Sequence, residues 1–207
     1  MTPNNILNMA SLKELDIIAI TDHNSCLQLD TINELAQSYN MLVICGVEVT
    51  TIENYHVVCL FRNLEKARAF QQILETKMLK QIYDKNLLGE EQLLDVNDDV
   101  IDTLEYSLLT KTSFTVLTLK ETINDLEGIM ILAHIEKYHH DIYEKLQNEY
   151  SNIFNAIELM NLNTCLNSDV KKVHSSDAHQ ITDILERTSY VELNHLSIDE
   201  FFKYMEE

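Results

Sequence analysis

Short, uninterrupted apolar runs alternate with amphipathic segments along this chain, and that alternation limits its fold more than any other feature. Asp16-Ile17-Ile18-Ala19-Ile20-Thr21, Met41-Leu42-Val43-Ile44-Cys45-Gly46-Val47, His56-Val57-Val58-Cys59-Leu60-Phe61, Ile129-Met130-Ile131-Leu132-Ala133 and Phe154-Asn155-Ala156-Ile157-Glu158-Leu159 are the main runs. Runs of this length read as strands covered on both faces. Lys172-Val173-His174 and Tyr190-Val191-Glu192-Leu193 read as weaker strands. Between them the spacing predicts helices. The first is capped by Thr2 and opened by Pro3, where a missing N–H costs nothing. Others fall at 28–40, 64–85, 120–127, around 141–150, and from the Ser197 cap through 206. The pattern predicts an α/β fold with a mainly parallel sheet, open or closed into a barrel. It fits one domain, 1–207, with an irregular acidic excursion at about 86–119. Asp95-Val96-Asn97-Asp98-Asp99 within it imitates a calcium loop. Val100 and Tyr106 stand where that loop needs Gly and Glu, so a solvated turn is expected.

Composition narrows function. The 34 acidic and 15 basic side chains give a formal charge of −19, which opposes wrapping by an extended nucleic acid. A small phosphorylated substrate stays open, because bound cations supply local positive charge. Gly46, Gly89 and Gly128 cannot form a dinucleotide fingerprint or a P-loop. Cys26, Cys45, Cys59 and Cys165 show no C-x-x-C spacing and read as buried, reduced thiols of a cytoplasmic protein. No run is long enough to span a membrane, and Met-Thr-Pro-Asn-Asn does not begin a signal peptide.

The titratable residues gather at strand ends. Thr21-Asp22-His23-Asn24 follows the first strand, Glu48 the second, His134 the Ile129 run, and Ser175-Ser176-Asp177-Ala178-His179 the Val173 segment. In parallel α/β folds those ends converge on one rim, where active sites form. His56 opens its strand and reaches that rim only if the 48–56 connection is a tight return. Imidazoles and carboxylates without obligatory thiolates suit Zn²⁺, Mn²⁺ or Fe²⁺. A carboxylate among histidines also suits two ions, since its oxygens can ligate different metals. His139 and His140 read as surface-loop residues, with substrate contact as the alternative, His195 as exposed, and His174 as pointing inward or into the sheet. Lys137 and Arg187 are either phosphate contacts or surface charge.

At Thr21-Asp22-His23-Asn24, Gly46-Val47-Glu48-Val49, His56, Ala133-His134 and Ser176-Asp177-Ala178-His179 the chain resembles the polymerase-and-histidinol-phosphatase (PHP) superfamily of metal-dependent phosphoesterases, over nearly its whole length. The resemblance implies a distorted (β/α)7 barrel, TIM-like, binding up to three divalent metals (Mn, Zn or Fe). It makes Glu48 the bridging carboxylate, completed at one metal by His56 and His134. Asp177 belongs to the other metal that Glu48 touches, and His23 and His179 hold the third. Asp22 orients a ligand or protonates the leaving oxygen.

The family opens with a strand ending in His-x-His and a further His, and neither is present here. The resemblance therefore implies an absent first strand and missing ligands at two metals, with only the Glu48, His56, His134 set complete. An internal Met start of a longer frame and a degenerate member both explain this. The expected activity is hydrolysis of small phosphomonoesters, nucleotides or oligonucleotide ends by a metal-activated water. The alternatives are an inactive metal-binding or interaction protein and, less fittingly, an amidohydrolase-like enzyme. A sheet lacking one strand exposes ladder edges, so lower stability than an upstream-extended chain, or self-association through those edges, is expected.

Overall fold

The computed structural model describes residues 1–138, 141–150, 152–161 and 170–207. His139, His140 and Cys165 lie outside them. In chain order the regular elements are α1 (Pro3–Leu12), β1 (Ile17–Ile20), α2 (Leu29–Ala36), β2 (Leu42–Thr50), β3 (His56–Phe61), α3 (Leu64–Lys77), α4 (Lys85–Leu88), β4 (Glu91–Leu94), β5 (Val100–Leu104), α5 (Val116–Asp125), β6 (Ile129–Leu132), α6 (Asp141–Gln147), β7 (Ala156–Glu158), β8 (Lys171–Val173) and α7 (Ile198–Glu206). The helix starts follow the predicted caps. Thr2 accepts from the Asn5 amide, and Ser197 accepts from that of Glu200.

Six strands form one mixed sheet in the order β1-β2-β3-β6-β7-β8. All neighbours are parallel except around β3, which runs against both β2 and β6. Alternation along each strand sorts side chains into two layers. Val47, Val49, Val57, Cys59, Met130 and Leu132 face a core shared with α2, α3, α5 and α6. Ile44, Leu60, Ile129, Ile131 and Ala156 face the other way, onto Phe202 and Met205 of α7. Glu48 and His56 share the Ile44–Leu60 parity, so both belong to this inner face.

The mainly parallel alternation is thus interrupted by one reversed strand. The two outer strands, β1 and β8, do not pair with each other, so an unclosed seam stands where the resemblance implies a seven-stranded barrel. Both strands line one cavity of about 720 Å³, reached also by α1 and α7. Tyr190–Leu193, expected as a strand, lines this cavity without entering the ladder, and Tyr190 is exposed.

Element boundaries also move. The helix expected over 64–85 stops at Lys77, because Ala67, Phe70 and Leu74 find a core while Ile82 is 93% exposed. The helix expected over 120–127 begins earlier, at Val116, under a reciprocal Thr115–Thr118 cap. The excursion is a two-stranded β4–β5 sheet docked on α2. There Gln28 bonds both backbone groups of Leu94, and Thr31 donates to its carbonyl. The Asp95–Asp99 turn is closed by the Asp95 carboxylate accepting the Asn97 and Asp99 amides, while Asp98 accepts from Thr2 and Asn4. Among the described residues, no helix is long and apolar enough to cross a membrane.

Candidate metal centre

Glu48 is the hub of the inner face. It lies within β2 rather than after it, 5% exposed, directly across from Val58. The 51–55 return is tight, with Thr50 paired to His56, so His56 arrives beside it. Its Nδ1 is 3.1 Å from Glu48 Oε1. His134 Nε2 is 3.2 Å from the same oxygen and 3.3 Å from His56 Nδ1. His23 follows β1, bridges to Glu48 along the backbone, and sets Nδ1 3.3 Å from Glu48 Oε2. His23 Nε2 is in turn 3.4 Å from His179 Nε2.

The set fits a divalent cation. Bonds of about 2.1 Å place neighbouring ligand atoms roughly 3.0–3.4 Å apart in octahedral or tetrahedral sites. The three mutual distances among Glu48, His56 and His134 fall in that range. Donor atoms of His23, Glu48 and His56 also gather within 4.8 Å. The Nδ1 of His23 is buried yet makes no hydrogen bond, leaving a nitrogen beside a carboxylate oxygen. Such an atom is costly unless something ligates it.

Electrostatics agree. Burial acts to raise the Glu48 pKa, but hydrogen bonds from His134 and His56 and the nearby imidazoles overcome it and hold the carboxylate well below its usual range. Burial also pushes the His23 pKa down, keeping its lone pair available. Asp22 faces the cavity, open space on one side and protein around it. That loss of bulk water raises its pKa.

The Asp177 half is built differently. Asp177 sits at φ 45°, its Oδ2 2.7 Å from Lys137 Nζ, and His179 lies 3.7 Å from its Oδ1 with a side chain 61% exposed. Lys137 is therefore an ion-pair partner of a predicted ligand. Arg187 pairs with Asp16 at the other end of the seam. His174 Nδ1 is 3.0 Å from the Leu159 carbonyl oxygen, within the sheet, and His195 is exposed.

Three residues were not singled out from sequence. Tyr138 accepts the His56 amide at 2.7 Å, and Glu158 accepts the His134 amide at 2.8 Å. A charge closing the apolar Ala156-Ile157 run was the available signal for Glu158; nothing marked Tyr138. Asn24, read only as part of a motif, is a buried clamp at φ 46°. Its amide nitrogen donates to the Leu108 and Thr110 carbonyls, and its side-chain oxygen accepts from Thr50. Asn is among the few residues that tolerate this backbone region.

An α/β sheet that gathers buried and half-buried histidines around one buried carboxylate offers a site that could hold a metal ion. The chain belongs to the PHP domain family, whose model matches residues 1–195. Among solved structures it is similar to the lesion-specific endonuclease EndoQ of Pyrococcus furiosus, with 17% identity and a TM-score of 0.67. That match covers 98% of this chain and 50% of the other, so the chain spans about half of the endonuclease. It is also similar to a protein described as a metal-dependent phosphoesterase of Bifidobacterium adolescentis, with 13% identity, a TM-score of 0.59, and coverage of 99% and 90%. A third similarity is to an amidohydrolase of Chromobacterium violaceum, with 16% identity, a TM-score of 0.50, and coverage of 76% and 71%. These likenesses establish a common fold. Comparison with curated protein sequences gives no match.

Proposed function

We propose that the chain is a metal-dependent phosphoesterase acting on small phosphomonoesters, nucleotides or oligonucleotide ends. The single observation that carries this reading is the Glu48 carboxylate, buried and shared among His23, His56 and His134. Membership of the PHP family supports hydrolysis, and the endonuclease and phosphoesterase neighbours support a phosphoester substrate.

Glu48, His56 and His134 would hold one divalent ion (Mn, Zn or Fe), and His23, Asp177 and His179 are the donors for others. Bound there, such ions supply water activation and neutralisation of phosphoryl charge. The chain's own residues do the rest. Ile44, Leu60 and Ile131 form an apolar wall of the cavity beneath the rim. Asp22 stands at the cavity, placed to carry a proton to the leaving oxygen. Lys137 at the mouth contacts an incoming phosphoryl oxygen once released from Asp177.

A charge of −19 keeps extended nucleic acid from wrapping the surface, so any polynucleotide would be engaged at an end. The buried free thiols Cys26, Cys45 and Cys59 support a cytoplasmic location. The unpaired outer edges of β1 and β8 are where self-association would occur.

One observation favours a second reading, an inactive metal-binding or interaction protein. Lys137 neutralises Asp177, which leaves the second half of the rim without a free carboxylate. The test is hydrolysis of a broad panel of phosphomonoesters, nucleotides and short oligonucleotides by protein loaded with Mn²⁺ or Zn²⁺. Metal-dependent turnover that is absent from Glu48→Gln supports the enzyme. A metal-replete sample inert on the whole panel overturns it in favour of the second reading.

A further inference from the structure

Strand parity places His134 on the wrong side of the sheet. Along β6, Met130 and Leu132 face the helix-covered core while Ile129 and Ile131 face the inner layer. A His134 continuing the strand would follow Met130 and Leu132, away from Glu48. It does not continue the strand. Its backbone lies at φ 31°, ψ 57°, the left-handed region, and that turn swings the imidazole to within 3.2 Å of Glu48. For a residue with a β-carbon this conformation costs about 1–2 kcal/mol and persists only when its surroundings enforce it.

The enforcing contact is visible. The β6–β7 ladder ends at the Leu132–Ile157 pair, the Ala133 amide bonds the His56 carbonyl of β3, and the His134 amide is met by a side chain of β7. Glu158, the following residue of β7, shares the inner-face parity of Ala156 and is buried. It supplies Oε2 to the His134 N–H at 2.8 Å. Its other oxygen, Oε1, accepts the Ser175 hydroxyl. Ser175 opens the Ser175-Ser176-Asp177-Ala178-His179 turn. One carboxylate thus grips the backbone of a ligand in one half of the rim and the root of the turn that forms the other half.

We propose that Glu158 is the positioning residue of this centre, fixing the left-handed turn that aims His134 at Glu48 and tying that turn through Ser175 to the Asp177–His179 segment. The proposal rests on reading the rim as a metal centre, and Glu158 itself is no ligand in it. Its effect on a metal passes through the orientation of His134. Loss of such outer hydrogen bonds typically weakens metal affinity about 10–100-fold.

The probe is Co²⁺ alone, titrated calorimetrically and by visible absorption into the full chain and into Glu158→Met, Glu158→Gln and Ser175→Ala, all well below their melting temperatures. Hydrogen exchange at the His134 amide is followed by NMR in the same proteins without metal. Glu158→Met keeps the volume but has no acceptor. It is expected to bind Co²⁺ about 10–100-fold more weakly with an altered spectrum, and to lose His134 amide protection. Glu158→Gln retains one oxygen for that amide and is expected to recover most of the affinity and protection. Ser175→Ala, which loosens only the second contact, is expected to fall between. Parental affinity, spectrum and protection in Glu158→Met, with only a lowered melting temperature, would overturn the proposal. If Glu158→Met does not fold, parental affinity and protection in Ser175→Ala overturns the link to the Asp177 turn, and loss of protection in Glu158→Gln overturns the claim for the carboxylate oxygen. If the parent binds no Co²⁺, the metal-centre reading fails separately, and amide exchange alone still decides the positioning claim.

Discussion

The two halves of the rim carry the same kinds of side chain on very different foundations. Glu48 and His56 stand on β2 and β3 and His134 follows just past β6, strands whose ladders join along most of their length and whose side chains fill two cores. Asp177 and His179 follow β8, three residues long, on an outer edge of the sheet. The first half holds its donors 3.1–3.3 Å apart; in the second, Asp177 is taken up by Lys137 and His179 is open to solvent. A ladder paired on both sides fixes a side chain to tenths of an ångström, whereas an edge strand leaves placement to local turns and ion pairs. Ligand precision here follows strand pairing, not residue type.

The largest effect should come from removing the hub. Glu48→Gln is expected to abolish detectable metal-dependent turnover and to weaken Mn²⁺ or Zn²⁺ binding by at least about 100-fold, read by calorimetry. Asp177→Asn should weaken binding far less, because its half contributes a loosely held donor. Equal losses in the two variants would erase the distinction between the halves.

Next comes the foundation itself. A Cβ at Gly46 would sit 2.8 Å from both Leu60 Cδ2 and Thr21 Cγ2 and 3.1 Å from the Ile20 carbonyl oxygen, so Gly46→Ala makes these neighbours shift. Asn24→Ala strips three buried hydrogen bonds at a left-handed residue. Each is expected to cost about 2–4 kcal/mol in denaturant unfolding. A change below about 0.5 kcal/mol in either would show that this half tolerates local error as well as the other does.

A smaller effect concerns Lys137. Its ion pair with Asp177 is half exposed, so Lys137→Ala should change stability by less than about 1 kcal/mol. It should nonetheless raise affinity for a second equivalent of metal by freeing the carboxylate. An unchanged binding stoichiometry and affinity would show that Asp177 is no ligand in waiting.

The smallest effect is on pH. The folded His23 pKa lies below its ordinary value, near 6.5, because burial disfavours the charged ring. Below about pH 6.5 the unfolded chain therefore takes up a proton that the folded chain resists, so this residue's contribution favours unfolding progressively as pH falls. The metal-free parent should lose more stability between pH 7.5 and 5.5 than His23→Asn does. Parallel pH profiles would remove His23 from the account.

Much of this was legible in the residues. Short continuous apolar runs located β1, β2, β3, β6 and β7, a weaker segment at 172–174 marked β8, and Ser, Thr and Pro marked the helix starts at α1 and α7. The motif residues Asp22, His23, Glu48, His56, His134, Asp177 and His179 were picked out and the sheet gathers them at one rim, although their individual metal roles remain part of the proposal. Less legible were features that depend on a neighbour far along the chain. Tyr190–Leu193 has the pattern of a strand but no ladder to join. Residues 79–84 read as helix, but Leu79 and Ile82 there are exposed and find no core to cover. Tyr138 and Glu158 act on amides 82 and 24 residues away, contacts that leave no local pattern.

The sequence by itself determined the alternation of strands and helices, the acidic balance and the set of candidate metal-ligating side chains, because these follow from residue chemistry and nearest neighbours along the chain. Only the tertiary structure decided that β3 runs backward, that the β1–β8 seam stays open, and that His134 leaves its strand's parity to meet Glu48. Those outcomes are set by which backbone groups find partners across the sheet. The decisive partner of His134, the carboxylate of Glu158, belongs to a different strand.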